Sequence, residues 1–293
     1  MSSAPPPRFI PPVSATPAEP PPPAGPPRET NWQPWSGIVA LPAAFFAAVL
    51  LQFVVLAVGS AFGSPFDDPT PAVNILSLLV QDFCFVGAAI FFARAAGPIV
   101  PAQFGLRRTR FVRAFGVTAG LFLGYIVFNA LYATLIDANT ETNDLPSGLG
   151  VHQSTVALVA VGLLVTVVAP LAEEFLFRGF MFGALRNWRG PWTAAVITGV
   201  VFGAIHVLGT DVEFLLPLMV FGFLLCLIRW RTDSLLPCIV LHAINNSIAF
   251  GDRGGDFSIG GTALWTVGAV AACMLICAPF VGSRSDQANA PAT

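Results

Sequence analysis

Eight apolar runs follow one another along this chain, over 36–62, 71–96, 112–136, 154–186, 191–209, 213–230, 234–250 and 262–281. Each is close to the roughly 20 residues that a helix needs to cross a bilayer. Hydrocarbon offers no partner to a backbone N–H or C=O, so a spanning segment of this kind must satisfy its own hydrogen bonds as a helix. The expected fold is therefore all-α: a polytopic integral membrane protein of about eight transmembrane helices. Composition agrees, since only 10% of the 293 residues are charged and the mean hydropathy is +0.74. A soluble domain carries about 25% charged residues.

The first 35 residues differ. They hold 13 of the 26 prolines and no apolar stretch. Such a segment cannot bury a core and reads as a disordered, partly polyproline II tail, and it lacks the apolar region of a signal peptide. It can serve as a spacer or dock an SH3-like partner. We expect a tail over 1–35, a membrane domain over 36–283 and a flexible C-terminal tail over 284–293. Trp32 and Trp35 lie where interfacial aromatic anchors are expected.

All 14 basic residues are arginine, and the net charge is -2. That balance excludes a nucleic-acid binder held by a basic surface. With the N-terminus inside, 12 of the 14 arginines fall on cytoplasmic segments, while Arg253 and most loop acids fall outside. The positive-inside rule then puts both termini in the cytoplasm. The cluster Arg107, Arg108, Arg110 and Arg113 reads as this topology signal, with anionic-lipid recognition as the alternative. Five scattered cysteines within apolar runs read as small buried hydrophobes rather than a disulfide framework.

One arginine, Arg178, is left inside a span. Ionisable groups in hydrocarbon are costly and mark function by default. The fourth run contains Glu173-Glu174-x-x-x-Arg178, so Glu174 and Arg178 are i and i+4 on one helix face. Glu173 is turned about 100° away and has no arginine on its face. Two adjacent carboxylates in different surroundings can take two roles. Pro170 removes a helix hydrogen bond just before them. The fifth run carries His206, three residues after Gly203 of a Gly199-x-x-x-Gly203 step that lets a neighbouring helix come close. The seventh carries His242 and Asn246 on one face. At about 1.5 Å per residue, these groups lie roughly 12–22 Å from the cytoplasmic end, in one layer. Asp82 is read as a packing or interfacial residue, with the lining of a water-filled pocket as the alternative, and Gly116, Gly120 and Gly124 as a small-residue packing face.

A carboxylate, two imidazoles and an amide in a dry site suit hydrolysis. Glu173 can take a proton from water, His206 can orient it, and His242 and Asn246 can stabilise an oxyanion. Alternatively, Glu173, His206 and His242 can hold Zn²⁺; no other cofactor is indicated. HExxH, GxSG and GxGD signatures are absent.

Glu173-Glu174-x-x-x-Arg178, Phe202-x-x-x-His206 and His242-x-x-x-Asn246 resemble the three motifs of the CPBP family, which includes the type II CAAX prenyl endopeptidases and the bacterial Abi proteins. The stretch Arg231 to Pro237 is also similar to the family pattern. The resemblance covers about 154–250. It implies an eight-helix intramembrane endopeptidase in which Glu173 activates water, with catalytic roles for Glu174, Arg178, His206, His242 and Asn246. The implied partners are a membrane protein or peptide substrate, CAAX-like or lipidated, and the bilayer itself. No sequence feature specifies an oligomer. Arginine without lysine, together with the proline-rich tail, suggests a high-GC bacterium and its plasma membrane. Two other functions fit the same spans: a non-catalytic scaffold or bacteriocin-immunity protein of the same fold, and a proton-coupled Glu/His transporter. The first survives loss of Glu173. The second lacks the internal repeat of many transporters.

Overall fold

Proline opens several of the helices. Its fixed φ suits the first turn, where its missing N–H would be unpaired in any case. In the computed structural model, which describes residues 30–136 and 149–282, α1 (Pro34–Ala61) and α2 (Pro71–Ala95) both begin this way. Next comes α3 (Phe111–Ile136). A long rod follows, made of α4 (Thr155–Leu163), α5 (Ala169–Glu174) and α6 (Phe182–Ala204). Two π-turns, Leu164–Val168 and Phe175–Met181, join its parts. The rod breaks at Gly190, whose φ of 77° and ψ of 175° are open to glycine and strained for other residues. Pro191 follows the break. The chain ends in α7 (Val212–Thr232), α8 (Leu236–Arg253) and α9 (Ile259–Cys277). The described residues contain no strand, only an isolated bridge between Arg107 and Gly282.

The protein is an all-α polytopic membrane protein. Six helical stretches among the described residues are long and apolar enough to span: α1, α2, α3, the rod over Thr155–Val207, α7 and Ile259–Phe280. The 53-residue rod holds two of the eight expected runs, divided at Gly190. The expected seventh run became α8, which is not among the six and carries His242, Asn245 and Asn246. Large apolar side chains such as Phe53, Leu123 and Leu131 remain exposed, as a lipid-facing surface requires.

The packing corrects three expectations. Trp32 is not an interfacial anchor but a core residue, with its ring 4.9 Å from Phe104 and 5.0 Å from Phe180. Trp35, by contrast, is exposed. The tail boundary at 35 is late, because Thr30 is buried and accepts a hydrogen bond from the Asn187 amide. The rest of the proposed tail, 1–29, and 284–293 lie outside the described residues. Finally, Gly116, Gly120 and Gly124 do not form a packing face: a Cβ added at any of them would meet nothing within 4 Å. A small-residue stripe permits close approach but does not supply a partner.

The expected close step does exist at α6 and α7. A Cβ on Gly199 would lie 2.7 Å from the Phe223 nitrogen, and one on Gly203 would lie 2.7 Å from the Met219 nitrogen. Backbone meets backbone there. All five cysteines are free, four of them buried, as expected for small hydrophobes.

Candidate active site

The site is built around the rod. Pro170 has no N–H, so it cannot continue the hydrogen-bond ladder of the segment before it. In the π-turn Leu164–Val168 the ladder runs i to i+5, and Ala169 N–H donates to Leu164 O. The next bond in that register would join Pro170 to the Val165 carbonyl and is impossible. Asn246 of α8 fills the vacancy: its Nδ2 donates to Val165 O at 2.9 Å. The Asn246 amide, expected as an oxyanion donor, is therefore engaged in joining α8 to the rod. On the same turn, Thr166 Oγ1 donates to Gly162 O at 2.6 Å and accepts from Trp265 Nε1 of α9 at 3.2 Å.

One helical turn further lie the carboxylates. Glu174 and Arg178 pair as their spacing predicts, Nη1 to Oε1 at 2.7 Å, with both side chains fully buried. Arg178 Nη2 also donates to Gly222 O at 3.1 Å, a carbonyl within reach because α7 lies so close. The guanidinium rests 4.3 Å from the Phe202 ring centroid. The same Glu174 oxygen lies 2.8 Å from His242 Nδ1. A carboxylate oxygen that already accepts from Arg178 accepts here as well, so His242 Nδ1 is the donor and, in the neutral ring, Nε2 is left with a lone pair. His242 Nε2 lies 3.9 Å from Glu173 Oε2. That oxygen has no hydrogen-bond partner, and Glu173 is 14% exposed where Glu174 is sealed. The two adjacent carboxylates thus have different surroundings. Glu174 is anchored through Oε1, although its Oε2 has no partner, and Glu173 makes no hydrogen bond among the described residues.

His206 sits in a 3₁₀ turn, Ile205–Leu208, at the end of α6. Its Nδ1 lies 2.8 Å from Phe202 O; a carbonyl only accepts, so Nδ1 is the donor and Nε2 is available. Phe202 links the two imidazoles, with its ring centroid 5.1 Å from His206 and 5.7 Å from His242. No hydrogen bond joins His206 to Glu173 or His242 among the described residues.

A zinc ion needs three or four donors converging on one point. Among the described residues no three His, Cys, Asp or Glu side chains are so gathered. Glu173, His206 and His242 do not fit a metal in this arrangement, and the chemistry below uses the chain's own groups.

Asp82 is buried, as the packing reading allowed, but the segment it faces was not legible from sequence. Asp82 is 5% exposed in α2. The start of α2 packs near the start of the rod, with Pro71 against Gly150, and further along Phe85 meets Phe177 with ring centroids 6.4 Å apart. The two segments run parallel, so one turn back from Phe85 and Phe177 brings Asp82 level with Glu173. A signal was present, since Asp82, Phe85 and Ala89 share one helix face and all three are buried. Which segment that face meets is a tertiary fact.

Residues 155–248 match the family described as "Type II CAAX prenyl endopeptidase Rce1-like". This segment is similar to that family. It contains every residue of the carboxylate and imidazole cluster. Over 107 residues the chain is 29% identical to "Putative membrane peptidase YdiL" of Bacillus subtilis (strain 168), covering 36% of this chain and 41% of that protein. It is 35% identical over 83 residues to "Uncharacterized 24.3 kDa protein" of Escherichia coli, covering 27% and 38%. It is 27% identical over 81 residues to "UPF0177 protein YxdF" of Lactococcus lactis subsp. lactis (strain IL1403), covering 27% and 42%. The chain spans about two fifths of the length of these relatives. No solved structure matches.

Proposed function

We propose that this protein is an intramembrane endopeptidase that hydrolyses a peptide bond of a membrane-associated substrate, CAAX-like or lipidated, with water activated by Glu173. One observation carries the reading: His242 Nε2 faces the unpartnered Oε2 of Glu173 at 3.9 Å, while Nδ1 is fixed by the Glu174–Arg178 pair.

In the proposed reaction, Glu173 takes a proton from water as the water oxygen attacks the scissile carbonyl. His242, oriented by Glu174, receives that proton from Glu173 at Nε2 and delivers it to the leaving amine nitrogen as the C–N bond breaks. Glu174 and Arg178 hold the tautomer and position of His242 rather than touch substrate. His206 supplies a second imidazole beside Phe202 for orienting water or substrate. Asn246 keeps α8, and with it His242, in register against the rod. The Rce1-like match supports the peptidase class, and the similar proteins are bacterial, in keeping with a bacterial plasma membrane.

The test is cleavage of membrane peptides by the purified full-length chain in liposomes, read by mass spectrometry. We expect cleavage that disappears in Glu173→Gln and in His242→Ala. Equal cleavage by both variants would remove the assignment and favour a non-catalytic scaffold.

A further inference from the structure

Where α7 passes into α8, residues 105–109 are stitched along the turn 232–235. Leu235 N–H donates to Gly105 O at 2.7 Å, Ser234 Oγ to Arg107 O at 2.7 Å, and Thr109 Oγ1 to Thr232 O at 3.0 Å. Asp233 is the acid of this corner. Its two oxygens are filled by Arg107 at 2.7 Å and Arg229 at 3.1 Å. Beside it opens a cavity of about 410 Å³ lined by Arg107, Arg108, Arg110, Arg113 and Asp233. Arg108, Arg110 and Arg113 have no acidic partner among the described residues.

A topology signal needs only charge, not a concave polar site. Other arginines of the chain are settled on rings: Arg186 near Phe182, Arg189 on Trp188 and Arg231 on Trp230. The trio at the cavity is settled on no ring among the described residues. Its neighbours in sequence are apolar and outward: Phe111 is 79% exposed, Val112 82% and Phe115 65%. In a membrane protein such side chains meet acyl chains. An anion with an attached hydrocarbon answers both halves of the site.

We propose that this cavity binds the phosphate headgroup of an anionic phospholipid. Arg108, Arg110 and Arg113 supply charge-assisted hydrogen bonds to its oxygens, and Phe111, Val112 and Phe115 lie along its chains. The strip that carries these arginines is tied to the turn that opens α8, so an occupied site braces the helix that bears His242. The proposal does not depend on the peptidase reading.

The test uses the full-length chain in micelles with phosphatidylglycerol titrated in, bound lipid being counted by native mass spectrometry. Three variants accompany the wild type: the triple R108Q/R110Q/R113Q, the single R110E, and R94Q as an exposed arginine outside the cavity. Circular dichroism checks that each is folded. We expect the triple variant to bind about a hundredfold more weakly, R110E to lose affinity as well, and R94Q to stay within about twofold of wild type. Inorganic phosphate at the lipid's concentration should not displace the lipid. Wild-type binding in the triple variant or in R110E would overturn the proposal. So would an equal loss in R94Q, which would mean a diffuse field, or displacement by inorganic phosphate, which would mean a soluble anion.

Discussion

The Asn246 amide donates to the Val165 carbonyl at 2.9 Å, the carbonyl that Pro170 leaves without a donor in the π-turn before Glu173. A missing hydrogen in one helix is thereby matched by a side chain of another, and the match sets the level at which His242 faces the carboxylates. Asn246→Ala leaves this carbonyl unpaired inside the protein and should cost about 1–3 kcal/mol. Pro170→Ala returns an N–H to the rod. In that background Asn246→Ala should cost clearly less, so the two substitutions should be non-additive in a double-mutant cycle followed by denaturant unfolding in micelles. Additivity would mean that the two residues do not share the carbonyl.

The two glycine stripes predict opposite results. Gly199→Ala drives a methyl to within 2.7 Å of the Phe223 nitrogen and 2.9 Å of the Met219 carbonyl oxygen. Backbone atoms cannot swing aside, so overpacking should destabilise by about 1–3 kcal/mol. Gly120→Ala adds a methyl with nothing within 4 Å and should be neutral or gain up to about 1 kcal/mol from helix propensity. Thermal unfolding of the two variants under one set of conditions compares them directly.

These glycines also show how far the sequence could be read. A pair such as Glu174 and Arg178 lies on one helix, so helical periodicity alone brings the two together. The all-α membrane class was legible for the same reason, because length and hydropathy act locally, whereas the position of the break at Gly190 was not read from sequence. Trp32, Asp82 and the stripe of Gly116, Gly120 and Gly124 depend on what a second segment presents to them. Trp32 has the composition of an interfacial anchor and becomes core because Phe104 and Phe180 receive it. Asn246 had the spacing of a catalytic residue, but its acceptor was set by a proline 76 positions earlier.

Asp82 offers a test of function against stability. A buried aspartate in a spanning helix costs about 2.5–3.5 kcal/mol on insertion scales, and Asp82 makes no side-chain hydrogen bond among the described residues. We expect Asp82→Leu to raise unfolding stability by about 1–3 kcal/mol and to lower cleavage at least about tenfold, since one polar group beside Glu173 is lost. A variant less stable than wild type with unchanged cleavage would make Asp82 a structural residue only.

At the α7–α8 corner the sign of a pH effect can be worked out. Burial by itself raises the Asp233 carboxyl, but the charges and hydrogen bonds of Arg229 and Arg107 together hold it below the usual carboxylate range. A lowered folded value means that the pairing stabilises the fold above the unfolded value of about 3.9 and that this contribution fades as pH falls through the folded value. Asp233 has φ of 53°, a left-handed conformation that asparagine also tolerates, so Asp233→Asn removes charge without new strain. The variant should be less stable than wild type at neutral pH, more so at low salt, and the gap should close in acid. A gap independent of pH would assign the effect to something other than the ion pairs.

The most direct measurement compares Glu173→Gln with Glu174→Gln in the full-length protein, scoring unfolding stability and peptide cleavage on the same samples. Glu173 makes no hydrogen bond among the described residues and has a partly open side chain, whereas Glu174 holds Arg178 and His242 through Oε1 in full burial. The account predicts that Glu173→Gln unfolds within about 1 kcal/mol of wild type and does not cleave. Glu174→Gln should lose about 3–5 kcal/mol, because Arg178 is left charged and buried without its counter-ion. Cleavage that survives in a folded Glu173→Gln protein would contradict the central claim.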